Sequence, residues 1–92
     1  EYRLGDVREF MIGVWSELLG RSDLTEHSDF FARGGDTLLI TRLVRRIDRE
    51  LGVTLPVRDM LAAPTLGEQT LLLSDAVAGS RRSVFTSGRQ SD

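Results

Sequence analysis

Apolar residues recur at helical spacing near the start of the chain. Val7, Phe10, Met11, Val14, Trp15, Leu18 and Leu19 fall at i, i+3, i+4, i+7, i+8, i+11 and i+12. This stripe predicts an amphipathic helix from about Asp6 to Leu19. Asp6 can cap its start, with Glu9 three residues on, and Gly20 can end it in a left-handed conformation. The period then stops. From Arg21 to about Asp36 the chain runs as a loop longer than the usual connection of about 4–6 residues, and such loops carry function or packing anchors. Leu24, Phe30 and Phe31 are the anchors here. Neighbouring side chains in an extended segment point opposite ways, so one phenylalanine of the pair is expected near the surface.

A second stripe follows. Ile40, Leu43, Val44, Ile47 and Leu51 predict a helix from about Thr37 to Leu51, stopped by Gly52. At about 100° per residue, Leu38, Arg42, Arg45 and Arg49 gather on the opposite face, leaving Leu38 in solvent beside Thr37. Pro56 suits the first position of a short helix carrying Val57, Met60 and Leu61, and Pro64 keeps that helix short. Thr65 with Glu68 makes a capping box for a last helix bearing Leu66, Leu72, Leu73, Ala76 and Val77, which Gly79 is expected to end. Residues 80–92 have no period and are polar apart from Val84 and Phe85, as in a disordered tail or interdomain linker. The sum is one all-α domain over residues 1–79: a four-helix bundle of three longer helices and one short helix, with a long loop between the first two.

Composition narrows what such a bundle can do. Ninety-two residues make one small domain. A chain of this size buries only about 60% of its unfolded surface, enough for a modest core but not for a deep substrate cavity. No paired carboxylates, Ser-His pair or cofactor loop appears, so no catalytic residue is assigned. There is no cysteine and His27 is the single histidine, which leaves no cysteine-ligated or multi-histidine metal site. His27 itself reads as a solvated loop residue. No apolar run approaches the roughly 20 residues that span a bilayer, and no signal-peptide pattern opens the chain. With no disulfides either, a cytoplasmic, monomeric protein that does not engage membranes is expected. The chain starts at Glu1 rather than methionine, as expected of a piece cut from something longer.

Charge removes another class. The net charge is −2; residues 79–92 carry three arginines against one aspartate, a balance of +2, which leaves −4 for the remainder. The arginines of the second helix suggest nucleic-acid binding, but that needs a positive footprint this body lacks.

The densest cluster of signals is "DFFARGGDTLLITRL", from Asp29 to Leu43. Gly34, Gly35, Asp36 and Thr37 lie where the long loop enters the second helix. On the plainest reading the glycines turn the backbone while Asp36 and Thr37 cap the helix. On a second reading the free N–H groups and positive dipole end favour an anion. The glycines then let a phosphate approach, and a hydroxyl at this point is placed to carry a phosphodiester. These four residues alone leave both readings open.

The chain as a whole carries more. From "VWSELLG" through "DFFARGGDTLLITRLVRRIDRELGV" to "LPVRDMLAAPTLGE", it resembles a peptidyl carrier protein, or thiolation domain, of nonribosomal peptide synthetases. The resemblance covers about Val7 to Leu73 and includes the first helix, the Asp-Phe-Phe loop, the Gly-Gly turn, the arginine-bearing second helix and the Pro-Thr junction. It implies a four-helix carrier fold without catalysis of its own. A serine after the Gly-Gly turn would be modified with 4′-phosphopantetheine by a phosphopantetheinyl transferase. The arm would hold an aminoacyl or peptidyl thioester for adenylation, condensation, tailoring or thioesterase domains. Related acyl carriers tend to have an acidic second helix, whereas the arginines here favour the peptidyl branch.

On that template Gly34, Gly35 and Asp36 frame the cofactor position and Thr37 occupies it. From the residues themselves, Leu38, Arg42, Arg45, Val57 and Met60 are the expected partner surface, an apolar residue beside the attachment position edged by arginines; the alternative is that Leu38 covers part of the short helix that follows. Threonine retains the hydroxyl but makes it a secondary alcohol with a stiffer χ1, so modification is expected to be much slower than for serine or absent. Either the chain is an engineered variant with blocked loading, or it is a natural carrier-like domain that has lost loading and is kept as a docking or structural element. Gln69 also departs from the family, which usually has an apolar residue there, and a last helix that is looser or shifted in its packing is expected.

Overall fold

The first apolar stripe folds as α1, Leu4–Leu19. It begins before Asp6, which therefore sits in the first turn rather than at the cap. Its carboxylate is still favourable there against the positive end of the helix dipole. Gly20 ends α1 as expected, with φ of 66° and its N–H donating to the Ser16 carbonyl at 2.8 Å. A computed structural model describes the backbone of residues 4–90 and the side chains of residues 5–79.

The second stripe is α2, Thr37–Leu51. Asp36 caps it, and Gly52 closes it at φ of 69° with its N–H donating to the Asp48 carbonyl at 2.8 Å. The short helix is α3, Val57–Leu61. Pro56 stands one position earlier than expected, at the N-cap with extended ψ, and contributes no side-chain cap.

The last helix is α4, Leu66–Gln90. Its capping box is present in both directions: the Glu68 N–H donates to Thr65 Oγ1 at 3.2 Å, and the Thr65 N–H donates to Glu68 Oε1 at 3.1 Å. The expected end at Gly79 is corrected. The backbone stays helical to Gln90, and Gly79 is not among the glycines with positive φ. A mid-helix glycine costs about 1 kcal/mol relative to alanine, which a continuing helix tolerates. Ser91 and Asp92 of the expected tail lie outside the described residues.

The four stripes meet in one core. Val7, Met11, Val14 and Trp15 of α1 pack with Ile40, Leu43 and Ile47 of α2, Met60 of α3, and Leu66, Leu73 and Val77 of α4. Phe30, Val53 and Leu55 from the connections complete it. Each large apolar side chain sequestered in this way contributes about 1.5–3 kcal/mol.

The long loop is strapped to the start of α4. The Phe30 N–H donates to the Pro64 carbonyl at 2.7 Å, and the amides of Leu66 and Gly67 donate to the carbonyls of Ser28 and Glu26 at 3.0 and 2.9 Å. Asp29 and Thr65 thereby form an antiparallel bridge. The strap gives first-turn amides of α4 acceptors they would otherwise lack, and it pairs the Phe30 amide and the Ser28 and Glu26 carbonyls of the loop. Gly67 permits the approach, since a Cβ there would lie 3.1 Å from the Glu26 carbonyl oxygen.

Candidate functional site

The entry to α2 is built on one aromatic ring. Phe30 is fully buried, with its ring edge-on to Trp15 at a centroid distance of 5.0 Å. Phe31 turns outward and is 36% exposed, as expected for one member of the pair. Asp29 Oδ1 accepts from the amides of Phe31 and Ala32 at 2.9 and 3.0 Å and so shapes the turn that separates them.

The two glycines have different duties. Gly34 adopts φ of 104°, which favours glycine. Gly35 lies against the Phe30 ring and donates its N–H to the Phe30 carbonyl at 2.9 Å. A Cβ on Gly35 would overlap the ring and come within 2.7 Å of that carbonyl oxygen. The turn is therefore tied to the core through Phe30.

Asp36 then starts the helix. Its Oδ1 accepts from the Leu39 N–H at 2.8 Å, and its carbonyl accepts from the Ile40 N–H at 2.9 Å. Thr37 follows as the first helical residue and is exposed. Among the described residues its hydroxyl has no hydrogen-bond partner, and the amides of Thr37 and Leu38 have no protein acceptor. The arrangement presents an open hydroxyl beside unpaired N–H groups at the positive end of a helix, a place that favours an anion.

The expected partner residues divide. Leu38 is 62% exposed, and Arg42 and Arg45 are exposed on the same side of α2. Val57 is half-buried against the core. Met60 requires correction: it is fully buried and cannot meet a partner on the surface. Three and four residues after Val57 are equally good helical neighbours, and the core took Met60 while Leu61 was left 40% exposed. Periodicity in five residues could not separate them.

Electrostatics tie α2 to α1. Arg46 is half-buried, lies 2.9 Å from Glu17 of α1 and also pairs with Glu50 one turn further along α2. The hydrogen bond from Arg46 and its charge hold Glu17 below the usual carboxylate range, and the two carboxylates raise the pKa of Arg46. In the loop, Asp23 is likewise lowered, first by the hydrogen bond from Arg21.

Gln69 is half satisfied in the core. It is fully buried and accepts a hydrogen bond from Trp15 Nε1 at 3.0 Å. The signal was available in principle, because a buried tryptophan N–H usually needs an acceptor. Among the described residues Gln69 Nε2 has no partner. His27 is solvated, with its side chain 89% exposed. Among the described residues no group of acidic or histidine side chains is arranged to hold a metal, and no helix is long and apolar enough to cross a membrane.

Comparison with known proteins places this geometry in context. The family profile described as "Phosphopantetheine attachment site" matches residues 9–73. Surfactin synthase subunit 3 of Bacillus subtilis is 43% identical over 61 residues, 66% of this chain and 5% of that protein. Phosphinothricin tripeptide synthetase PhsC of Streptomyces viridochromogenes is 40% identical over 63 residues, 68% of this chain and 6% of that protein. Malpibaldin synthetase of Mortierella alpina is 39% identical over 66 residues, 72% of this chain and 1% of that protein. The chain thus spans only a small fraction of the synthetases it matches. In fold it is similar to the solution structure of a non-covalent extended docking domain complex of the Pax NRPS, PaxA T1-CDD/PaxB NDD. The TM-score is 0.73 at 23% identity, covering 90% of this chain and 85% of that one.

Proposed function

The chain belongs to the phosphopantetheine attachment-site family as a non-catalytic carrier domain of the nonribosomal peptide synthetase type, and from that premise we propose that Thr37 is its attachment position and that loading there is strongly impeded. The family implies a 4′-phosphopantetheine prosthetic group. The residues present suit it: an exposed hydroxyl and adjacent amides that, among the described residues, have no hydrogen-bond partner, and a glycine turn that leaves the approach open. When attached, the arm supplies a thiol that holds an aminoacyl or peptidyl group as a thioester.

The chain's own part is positional. Phe30 and Gly35 hold the turn, Asp36 caps α2, and the unpaired amides of Thr37 and Leu38 would face the phosphodiester. The difficulty lies in attachment. The methyl of Thr37 converts a primary nucleophile into a secondary one and restricts χ1, and a transferase pocket shaped around serine has no room for it. Leu38, Arg42, Arg45 and Val57 would form the surface that partner domains meet. They combine an exposed apolar residue with charged neighbours, as transient interfaces do.

The single observation carrying this reading is the exposed, unpartnered Thr37 hydroxyl directly after the Gly-Gly-Asp turn. Its test is intact-protein mass after incubation with coenzyme A and a promiscuous phosphopantetheinyl transferase, with Thr37→Ser alongside. The serine form is expected to gain one arm and the threonine form none, or far less. Equal gain by both would overturn the steric part. No gain by either would leave the second reading, which the threonine itself favours: a docking domain of the same fold that is never loaded.

A further inference from the structure

Arg42, Arg45, Arg46 and Arg49 of α2 line an open groove of about 210 Å³ together with Leu18 of α1. These arginines are not equivalent. Arg46 is committed to Glu17 and Glu50. Arg42, Arg45 and Arg49 are exposed and make no ion pair among the described residues. Like charges three and four residues apart on a helix repel one another, so this row gains from an anionic partner. The row is also local: residues 1–78 carry a net −4, so the patch lies on an otherwise acidic body.

We propose that this groove docks an acidic helical segment of a partner protein, with its carboxylates on Arg42, Arg45 and Arg49 and one aliphatic side chain against Leu18. This deepens the docking surface proposed above and rests on it. From Arg42 to Arg49 the helix rises about 10 Å, two turns, so a helix with carboxylates at i, i+3 and i+7 matches the row. Leu18, half-buried and apolar, lines the groove beside them. A nucleic-acid backbone fits less well. Asp48 on α2 and the net −4 of residues 1–78 would repel a continuous line of phosphates, whereas spaced carboxylates can avoid Asp48.

The test is a titration of the ¹⁵N-labelled chain with a synthetic helical peptide of about 16 residues, long enough for four turns. The peptide carries glutamates at i, i+3 and i+7 and one leucine between them. Amide shifts are expected at Leu18, Arg42, Arg45 and Arg49, with affinity falling as salt is raised from about 50 to about 300 mM. Arg42→Gln and Arg49→Gln should each weaken binding by about tenfold, while Arg8→Gln on α1 should not. Both arginines are exposed, and circular dichroism is the check that the variants fold. Absence of binding, shifts centred elsewhere, unchanged affinity in both variants, equal binding of a leucine-free peptide, or tighter binding of a DNA duplex at the same residues would each overturn the proposal. Arm loading of Thr37→Ser is read separately by mass. Loading without peptide binding removes the groove proposal alone, and peptide binding without loading removes the carrier assignment of Thr37 alone.

Discussion

Trp15 of α1 donates its indole N–H to the Gln69 side chain of α4 at 3.0 Å, with both residues fully buried. This bond spans the core and satisfies a donor that would otherwise be stranded. Gln69→Leu leaves the indole N–H without an acceptor and is expected to destabilise the domain by about 1–3 kcal/mol. The unpartnered Gln69 Nε2 lost in the same change offsets part of that. In a double-mutant cycle by urea denaturation, Trp15→Phe with Gln69→Leu should cost less than the two singles summed, by at least about 0.5 kcal/mol. Simple additivity would show that the bond contributes nothing.

Gly35→Ala places a methyl into the Phe30 ring and close to its carbonyl. The ring is held by Trp15, so relief requires moving the core. A loss of about 1–3 kcal/mol is expected, in the range of overpacked interiors. Phe30 also carries the turn before Thr37, so the same change in a Thr37→Ser background should slow arm attachment. A stability equal to that of the parent would mean that the turn can shift away from the ring.

Leu38 and Met60 should answer oppositely to truncation. Leu38→Ala removes exposed surface and should change stability by no more than about 0.5 kcal/mol. Met60→Ala opens a cavity in the core and should cost about 2–5 kcal/mol. Leu38→Asp should leave the circular dichroism spectrum unchanged and reduce turnover by a condensation or tailoring partner. Lost helicity in that variant would remove Leu38 from the surface.

Glu17 supplies a pH test. Arg46 holds its folded-state pKa below the ordinary 4.5, so the pair's contribution is fully present above that value. It is lost as the pH falls through the depressed pKa. The melting-temperature difference between the parent and Glu17→Gln should therefore be greatest near neutral pH and vanish in acid. Both partners are solvent-accessible, so the difference should also shrink in high salt. A difference that grows in acid would contradict the assignment.

The four helices, both caps of α2 and the capping box of α4 were legible because they are local. A stripe at 3.6-residue spacing, Asp36 before α2, Gly52 after it, and Thr65 with Glu68 are patterns a short window contains. The turn at Gly34, Gly35, Asp36 and Thr37 was legible for the same reason. Gly79 misled: a glycine can end a helix or lie within one, and no local residue decides which.

What the sequence alone determined is thus an all-α bundle of four helices, its N-terminal hydroxyl on α2, and the family likeness carried by motif order. Tertiary structure decided which of two equivalent neighbours faces inward. Phe30 rather than Phe31 packs on Trp15, Met60 rather than Leu61 enters the core, and Gln69 finds its partner across 54 residues of chain. Periodicity is a property of backbone geometry, but burial of one side chain over its neighbour depends on the shape and polarity of elements far away in sequence. Those neighbours exist only once the chain has folded.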